Sequence, residues 1–214
     1  MTKKRLMSLA VASLMVLGMT GLAMAGIPDP NNSTASSPSG CVEIAMDGNG
    51  KSLAAAGLTV SVTVVDLNGD PVVGYPFQDV WLGDNTGGTQ IQLCNGGSFA
   101  TGNTNAAGFT TITGSIAGGG TTTSGMQVYL AGVPLNGPAL LLDASSPDLI
   151  DAAGNPGSDL IVGNLDLTAV PGGFANLFLN GVYDVVGDFN CDTVENILEV
   201  TRFAELFLNN VTCP

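Results

Sequence analysis

Residues 60–74 read Val-Ser-Val-Thr-Val-Val-Asp-Leu-Asn-Gly-Asp-Pro-Val-Val-Gly, and this stretch decides the fold class. Val60, Val62 and Val64 alternate with polar residues, which is the period-two pattern of a strand with one buried face. We therefore predict a strand over Leu58–Val65. The Asp-Leu-Asn-Gly segment that follows predicts a turn, in which Gly69 can adopt a positive φ.

Short apolar runs of the same kind recur between Gly- and Asn-rich turns from Cys41 to about Ser145. The further strand candidates are Val42–Met46, Asp79–Leu82, Gln90–Leu93, Gly108–Gly114, Met126–Leu130 and Leu140–Leu142. Seven short strands at this spacing predict a mainly β fold built as an antiparallel β-sandwich.

The stretch 60–74, together with Asn103 to Thr111 and its Gly108, resembles the bacterial Ig-like domains of surface and adhesion proteins. The resemblance covers residues 41–145. It implies an Ig-like sandwich there and a role at the bacterial cell surface.

The N-terminus has the three parts of a secretory signal. Lys3, Lys4 and Arg5 precede an apolar run from Leu6 to Leu17, and Ala-Met-Ala ends at residue 25. The apolar run is shorter than the roughly 20 residues that a membrane-spanning helix needs, so we expect cleavage rather than anchoring. Residues 26–40 are rich in Pro, Asn, Ser, Thr and Gly, which predicts a disordered leader. The expected product is a secreted, extracellular protein without membrane insertion.

The exported part is strongly acidic. Only Lys51 and Arg202 remain after removal of the signal, whereas the chain contains 18 Asp and Glu residues. A surface of this charge repels nucleic acids and anionic membranes, so neither is expected as a partner. Cations are the natural counterpart.

Four cysteines, Cys41, Cys94, Cys191 and Cys213, lie in the exported part. An even number of cysteines in an oxidising compartment predicts two disulfides. Proximity in sequence favours the pairs Cys41–Cys94 and Cys191–Cys213. Zinc binding is the alternative, but the chain has neither a Cys-x-x-Cys pair nor a histidine.

Residues 188–199 read Asp-Phe-Asn-Cys-Asp-Thr-Val-Glu-Asn-Ile-Leu-Glu, and they match a twelve-residue calcium loop of the EF-hand type. Calcium is bound by six to eight oxygen atoms, supplied by loop positions 1, 3, 5, 7, 9 and 12. Those positions hold Asp188, Asn190, Asp192, the Val194 carbonyl, Asn196 and Glu199. The alternative is a solvated acidic turn in which Asp192 or Asn196 only caps a helix, or a loop that a disulfide holds without metal.

Apolar residues at helical spacing follow this loop: Val200, Phe203, Ala204, Phe207 and Leu208. Loop and helix together resemble the second repeat of a dockerin. Two positions depart from that pattern. Thr193 replaces the Gly usual at position 6, and Glu195 replaces an apolar residue at position 8. Because a β-branched residue disfavours positive φ, we expect either a different bend or a weaker site.

The segment before it resembles a damaged first repeat. Asp148 would begin the loop, Asp159 would take position 5 and Asp166 position 12, followed by an apolar set that includes Phe174. A Gly- and Pro-containing insert between Asp151 and Asp159 shifts the first ligands out of register. These four aspartates are therefore weaker candidates for a metal. The resemblance implies a small α-helical dockerin-like module over residues 146–214.

The resemblance implies calcium-dependent docking to a cohesin-like protein or to the chain's own Ig-like domain, with self-assembly as a further option. Catalysis is not expected, since the chain has no histidine and no Gly-x-Ser-x-Gly motif. We therefore expect a secreted, non-catalytic, calcium-binding structural or adhesion protein. Carbohydrate binding through Trp81 is the alternative, although its alternating strand favours a core position.

Overall fold

Ten short strands and three α-helices make up the computed structural model, which describes residues 26–85, 90–179, 186–209 and 211–213. The signal peptide expected over residues 1–25 lies outside the described residues. The strands are β1 Thr34–Ser36, β2 Gly40–Ala45, β3 Val60–Thr63, β4 Val80–Asp84, β5 Ile91–Leu93, β6 Phe109–Ile112, β7 Ile116–Gly120, β8 Met126–Leu130, β9 Val133–Pro134 and β10 Leu142–Ser145. The helices are α1 Asn164–Thr168, α2 Phe174–Leu179 and α3 Ile197–Leu208, and a 3₁₀ turn spans Phe77–Asp79.

The strands form three sheets, in the orders β1-β3-β6, β10-β2-β7-β5 and β4-β8-β9. Most pairs are antiparallel, as predicted. Strand β2 differs, because it pairs in parallel with both β10 and β7. Parallel neighbours need long crossover connections. Between β2 and each of its parallel partners, the chain forms strands of the other two sheets. The chain is therefore mainly β with few helices, but it is not purely antiparallel.

The stretch that predicted the fold lies at the centre of the main core. Val60, Val62 and Val64 are fully buried, and Val60 pairs across the sheet with Ile112. Gly69 has the expected positive φ, at 84°. Each of the seven predicted strands overlaps an observed one. Strands β1, β7 and β9 were not predicted, because they are short, polar or glycine-rich.

The prediction of disorder for residues 26–40 is wrong. Strand β1 pairs with β3, with Thr34 opposite Thr63. The Ser33 hydroxyl accepts a hydrogen bond from the Val65 amide at 3.1 Å, and Ser33 is buried. A strand at a sheet edge is held by backbone hydrogen bonds, so a segment with few apolar residues can still add to a sheet.

The three sheets of residues 34–145 share one apolar core, and this part of the chain is called the sandwich below. The C-terminal segment, residues 146–213, has a second apolar core that also reaches the sandwich. The Phe174 ring lies 5.1 Å from the rings of both Phe189 and Phe203. Met46, directly after β2, is fully buried in the same cluster. Helices α2 and α3 therefore pack together against the end of a sandwich strand. No helix in the described ranges has the length and apolarity to cross a membrane.

Two disulfides are present, as expected, but the predicted pairing is wrong. Cys41 bonds to Cys191 and Cys94 to Cys213, with Cα atoms 5.5 and 5.4 Å apart. Both bonds join the sandwich to the C-terminal segment. Proximity in sequence is a poor guide to disulfide pairing, because the entropic cost of closing a loop grows only slowly with the loop's length. What a disulfide requires is that the two Cα atoms lie close together in the folded chain.

Candidate metal centre

Three carboxylates of the 188–199 loop converge. Asp188, Asp192 and Glu199 each offer an oxygen, and these oxygens lie within 4.8 Å of one another. Asp188 and Glu199 are fully buried, and Asp192 is exposed. They occupy positions 1, 5 and 12 of the predicted calcium loop. Three negative charges this close repel one another, and a bound cation would relieve that repulsion.

Backbone amides shape the start of this loop. The carboxylate of Asp188 accepts hydrogen bonds from the amides of Asp192 at 3.1 Å and Thr193 at 2.8 Å. Thr193 has a φ of 71°, which is the conformation expected of Gly at position 6. The loop therefore bends as a glycine-containing loop would. It does so with a β-branched residue in a region that such residues disfavour.

Glu199 closes the loop from the first turn of α3. Its Oε2 accepts a hydrogen bond from the Asn196 amide at 2.6 Å, and Asn196 in turn caps the helix through the Leu198 amide at 2.9 Å. This is a reciprocal capping box. The other oxygen, Oε1, is buried without a hydrogen-bond partner. A buried carboxylate oxygen left unpaired is unfavourable, so the site lacks one interaction that a ligand would supply.

Burial raises the pKa of Glu199, and the neighbouring charges of Asp192 and Asp188 raise it further. A cation between these groups would favour their ionised forms. A bound cation would therefore stabilise the ionised carboxylates of the loop.

The other predicted ligands lie in the same loop and form local hydrogen bonds. Asn190 accepts from the Asp192 amide at 2.9 Å, and the Val194 carbonyl accepts from the Asn196 side chain at 3.1 Å. The capping interaction expected as an alternative is present at Asn196. It accompanies the convergence of the carboxylates and does not replace it.

The 148–166 loop repeats the same hydrogen-bond pattern. The Leu160 amide donates to Asp148 Oδ2 at 3.0 Å, as Thr193 does to Asp188, and Leu160 also has a positive φ, of 61°. The Gly163 amide donates to Asp166 at 2.7 Å, as Asn196 does to Glu199. Donor and acceptor at the start of the loop are 12 residues apart here and 5 in the other loop, so the first copy contains seven extra residues.

The carboxylates of the first copy are used differently. Asp166 Oδ1 accepts from the amides of Leu149 at 2.7 Å and Ile150 at 2.8 Å, so backbone donors that directly follow Asp148 satisfy it. Asp151 accepts hydrogen bonds inside the insert, and Asp159 accepts one from Ile161. The predicted weaker ligands form no carboxylate cluster in the part of the chain that the structure describes.

Asp148 is the least satisfied group of the first loop. Its Oδ2 accepts a hydrogen bond from the Ser158 hydroxyl at 2.5 Å, whereas its Oδ1 is buried without a partner. Burial raises the pKa of Asp148 to about 7, and the Ser158 hydrogen bond opposes that rise. Near neutral pH this side chain can therefore keep its proton.

Arg202 on α3 was not predicted to have a structural role. Its guanidinium forms ion pairs with Glu43 of β2 at 3.2 Å and Asp47 at 3.1 Å. These contacts hold the helix that carries Glu199 against the sandwich. The one available signal was that Arg202 is one of only two basic residues after residue 25.

Known proteins that resemble this chain are few and distant. No protein-family model and no curated protein matches the chain. Among solved structures, the crystal structure of the Lin-41 filamin domain matches with a TM-score of 0.30 and 18% identity, over 55% of this chain and 95% of that one. The description of the chain as mainly β therefore rests on its own sheets.

Proposed function

We propose that this chain is a secreted, non-catalytic structural or adhesion protein, in which one calcium ion stabilises a dockerin-like C-terminal segment against an Ig-like sandwich. The observation that carries the proposal is the buried, unpartnered Glu199 Oε1, which lies in a cluster with the carboxylates of Asp188 and Asp192.

The donor set favours calcium over zinc. All donors are oxygens, which hard cations prefer, whereas zinc is usually bound through sulfur and nitrogen. All four cysteines are consumed in disulfides, and the chain has no histidine. Asp188, Asp192 and Glu199 would hold the ion, with the Val194 carbonyl and the Asn190 and Asn196 side chains as further oxygens of the same loop.

The attachments of the site support a stabilising role within the chain. Cys191 lies inside the loop and is bonded to Cys41, and Arg202 pairs with Glu43 and Asp47. An ion bound there would stiffen the junction between the two cores. These contacts favour the chain's own sandwich over a separate cohesin-like protein as the surface that the segment recognises.

An extracellular location is consistent with this chemistry. Two disulfides suit an oxidising compartment. Extracellular modules bind calcium with dissociation constants of about 10⁻⁴–10⁻³ M. A site with a strained Thr193 and one partly solvated carboxylate fits that range.

The proposal is tested by calcium titration of the chain from residue 26 onward in a calorimeter. We expect one equivalent for the wild type and none for an Asp188→Ala, Asp192→Ala double variant. The matched control, Asp151→Ala with Asp159→Ala, alters the first loop and should still bind one equivalent. Absence of binding by the wild type would refute the proposal.

A further inference from the structure

Trp81, the single tryptophan of the chain, lies on the outside of the sandwich and not in the core that its strand pattern favoured. It is partly exposed on β4 and faces Tyr129 directly across the strand pair. The two rings are stacked, with centroids 5.6 Å apart and planes inclined by 7°. Together they form an aromatic surface on the β4-β8-β9 sheet.

The surroundings hold these rings in place. The Tyr129 hydroxyl donates a hydrogen bond to the Asp84 carbonyl at 2.7 Å. Gly83 lies under the Tyr129 ring, where a Cβ atom would come within 3.0 Å of it. Glycine at this position therefore lets the ring lie close over the strand, and the hydroxyl fixes its direction. A fixed aromatic surface loses little side-chain entropy when a ligand binds.

Two shallow cavities meet at Trp81. One, of about 430 Å³, extends past Tyr129 to Gly132 and Pro134. The other, of about 290 Å³, extends past Phe99 to Gln78 and Asn95. Trp81 and Leu93 line both, so the two cavities adjoin at these side chains, and together they are called the groove below. Their combined size is that of a small-molecule binding site.

The polar groups of the groove are neutral. Gln78 and Asn95 are exposed amides. Within the described chain, the indole N–H of Trp81 has no hydrogen-bond partner. No Lys or Arg is among the described residues that line either cavity, and the one carboxylate there, Asp84, is buried and accepts from the Gln90 amide. An anionic ligand would find no cation here and would meet a protein of the same sign.

We infer that this groove binds a neutral polysaccharide. The weakly polar C–H face of a pyranose packs on an aromatic ring, and its hydroxyls exchange hydrogen bonds with amides and an indole N–H. The inference is independent of the calcium proposal, because no residue of the groove belongs to the 188–199 loop.

The test is retardation of the chain from residue 26 onward in native gels that contain hydroxyethylcellulose, xylan or galactomannan, with polygalacturonate as the anionic comparison. Calorimetry on the retarding polymer then gives the affinity. We expect at least one neutral polymer to retard the protein and polygalacturonate not to do so. Trp81→Ala should weaken binding at least tenfold, and Gln78→Ala with Asn95→Ala severalfold.

Phe109→Ala is the matched control, since Phe109 is an exposed aromatic residue on another sheet. It should leave the affinity unchanged. If Trp81→Ala fails to fold by circular dichroism, the double amide variant decides, because both its side chains are exposed. Absence of binding to every neutral polymer, equal binding of polygalacturonate, or undiminished binding by the variants would overturn the inference.

Discussion

Cys191 lies between Asn190 and Asp192 in the candidate metal loop and is bonded to Cys41 on strand β2. Two residues further along that strand, Glu43 forms an ion pair with Arg202 of α3. Helix α3 begins at Ile197, within the last residues of the candidate metal loop. One strand of the sandwich therefore holds both the loop and the helix that carry the three converging carboxylates. The shape of the site depends on the sandwich beside it.

The first prediction concerns this covalent attachment. A Cys41→Ser, Cys191→Ser double variant should bind calcium about tenfold more weakly, about 1.4 kcal/mol, because the loop is no longer held in its binding shape. Calorimetric titration measures the change. Cys94→Ser with Cys213→Ser is the matched control, since that bond lies outside the loop, and it should have a smaller effect. Equal effects of the two pairs would contradict a specific role for Cys191.

The same coupling should appear in the reverse direction. Affinity changes linked through one equilibrium are reciprocal, so calcium should lower the fraction of the Cys41–Cys191 bond that is reduced at equilibrium in a dithiothreitol redox buffer. Mass spectrometry of alkylated cysteines follows each bond separately.

Arg202 provides the second prediction. Arg202→Met leaves Glu43 and Asp47 partly buried without their cation, and we expect a loss of about 2 kcal/mol in the free energy of unfolding. Urea denaturation measures it. The control is Lys51→Met, which removes the other basic side chain of the described chain at an exposed position and should change stability by about 0.5 kcal/mol or less. Similar losses for both variants would show that net charge matters and the ion pairs do not.

Thr193 is expected to limit the site. Thr193→Gly removes a β-branched side chain from a φ of 71°, a conformation that costs such residues about 1 kcal/mol or more. Calcium should then bind severalfold more tightly. Thr201→Gly, within α3, should instead destabilise the protein by about 1 kcal/mol. Weaker calcium binding by Thr193→Gly would mean that the threonine contributes a contact that the site needs.

The pH dependence follows from Asp148. Burial raises its pKa in the folded protein to about 7, above its ordinary value of 3.8, so the folded state binds more protons between these values. The associated stability is present at low pH and is lost as the pH rises through about 7. In calcium-free buffer, Asp148→Asn should reduce the fall in unfolding free energy between pH 5 and 8 by about 2 kcal/mol.

Asp151→Asn is the control for that experiment. Hydrogen bonds from Asn155 lower the pKa of Asp151, so its titration falls below this range. Denaturant melts of both variants at several pH values provide the comparison. A wild-type pH profile that Asp148→Asn leaves unchanged would contradict the assignment.

The sequence predicted features that depend on local chemistry. The alternation at Val60 and Val64 predicted a strand because side chains on one face share one environment. The spacing of Asp188, Asp192 and Glu199 predicted a cluster because a twelve-residue loop brings those positions together. The apolar residues at helical spacing around Phe203 predicted α3, because such residues lie on one face of a helix.

Features set by tertiary contact were not predicted. Cys41 and Cys191 are 150 residues apart, and only the docking of the C-terminal segment brings them together. Strand β7 contains Gly118, Gly119 and Gly120, which carry no side-chain pattern, so its position between β2 and β5 has no local signal. The backbone amides that donate hydrogen bonds to Asp166 belong to Leu149 and Ile150, 17 and 16 residues earlier, and no local pattern brings them to that carboxylate.

The most direct test of a calcium-stabilised junction uses Glu199→Gln. Glutamine keeps the size of the side chain and can maintain the capping box, but it removes the charge that the buried Oε1 presents to the ion. Melting temperatures of the wild type and the variant, each with calcium and with chelator, provide the measurement. We predict that calcium raises the melting temperature of the wild type and leaves that of Glu199→Gln unchanged. A wild-type melting temperature that is the same with calcium and with chelator would contradict the account.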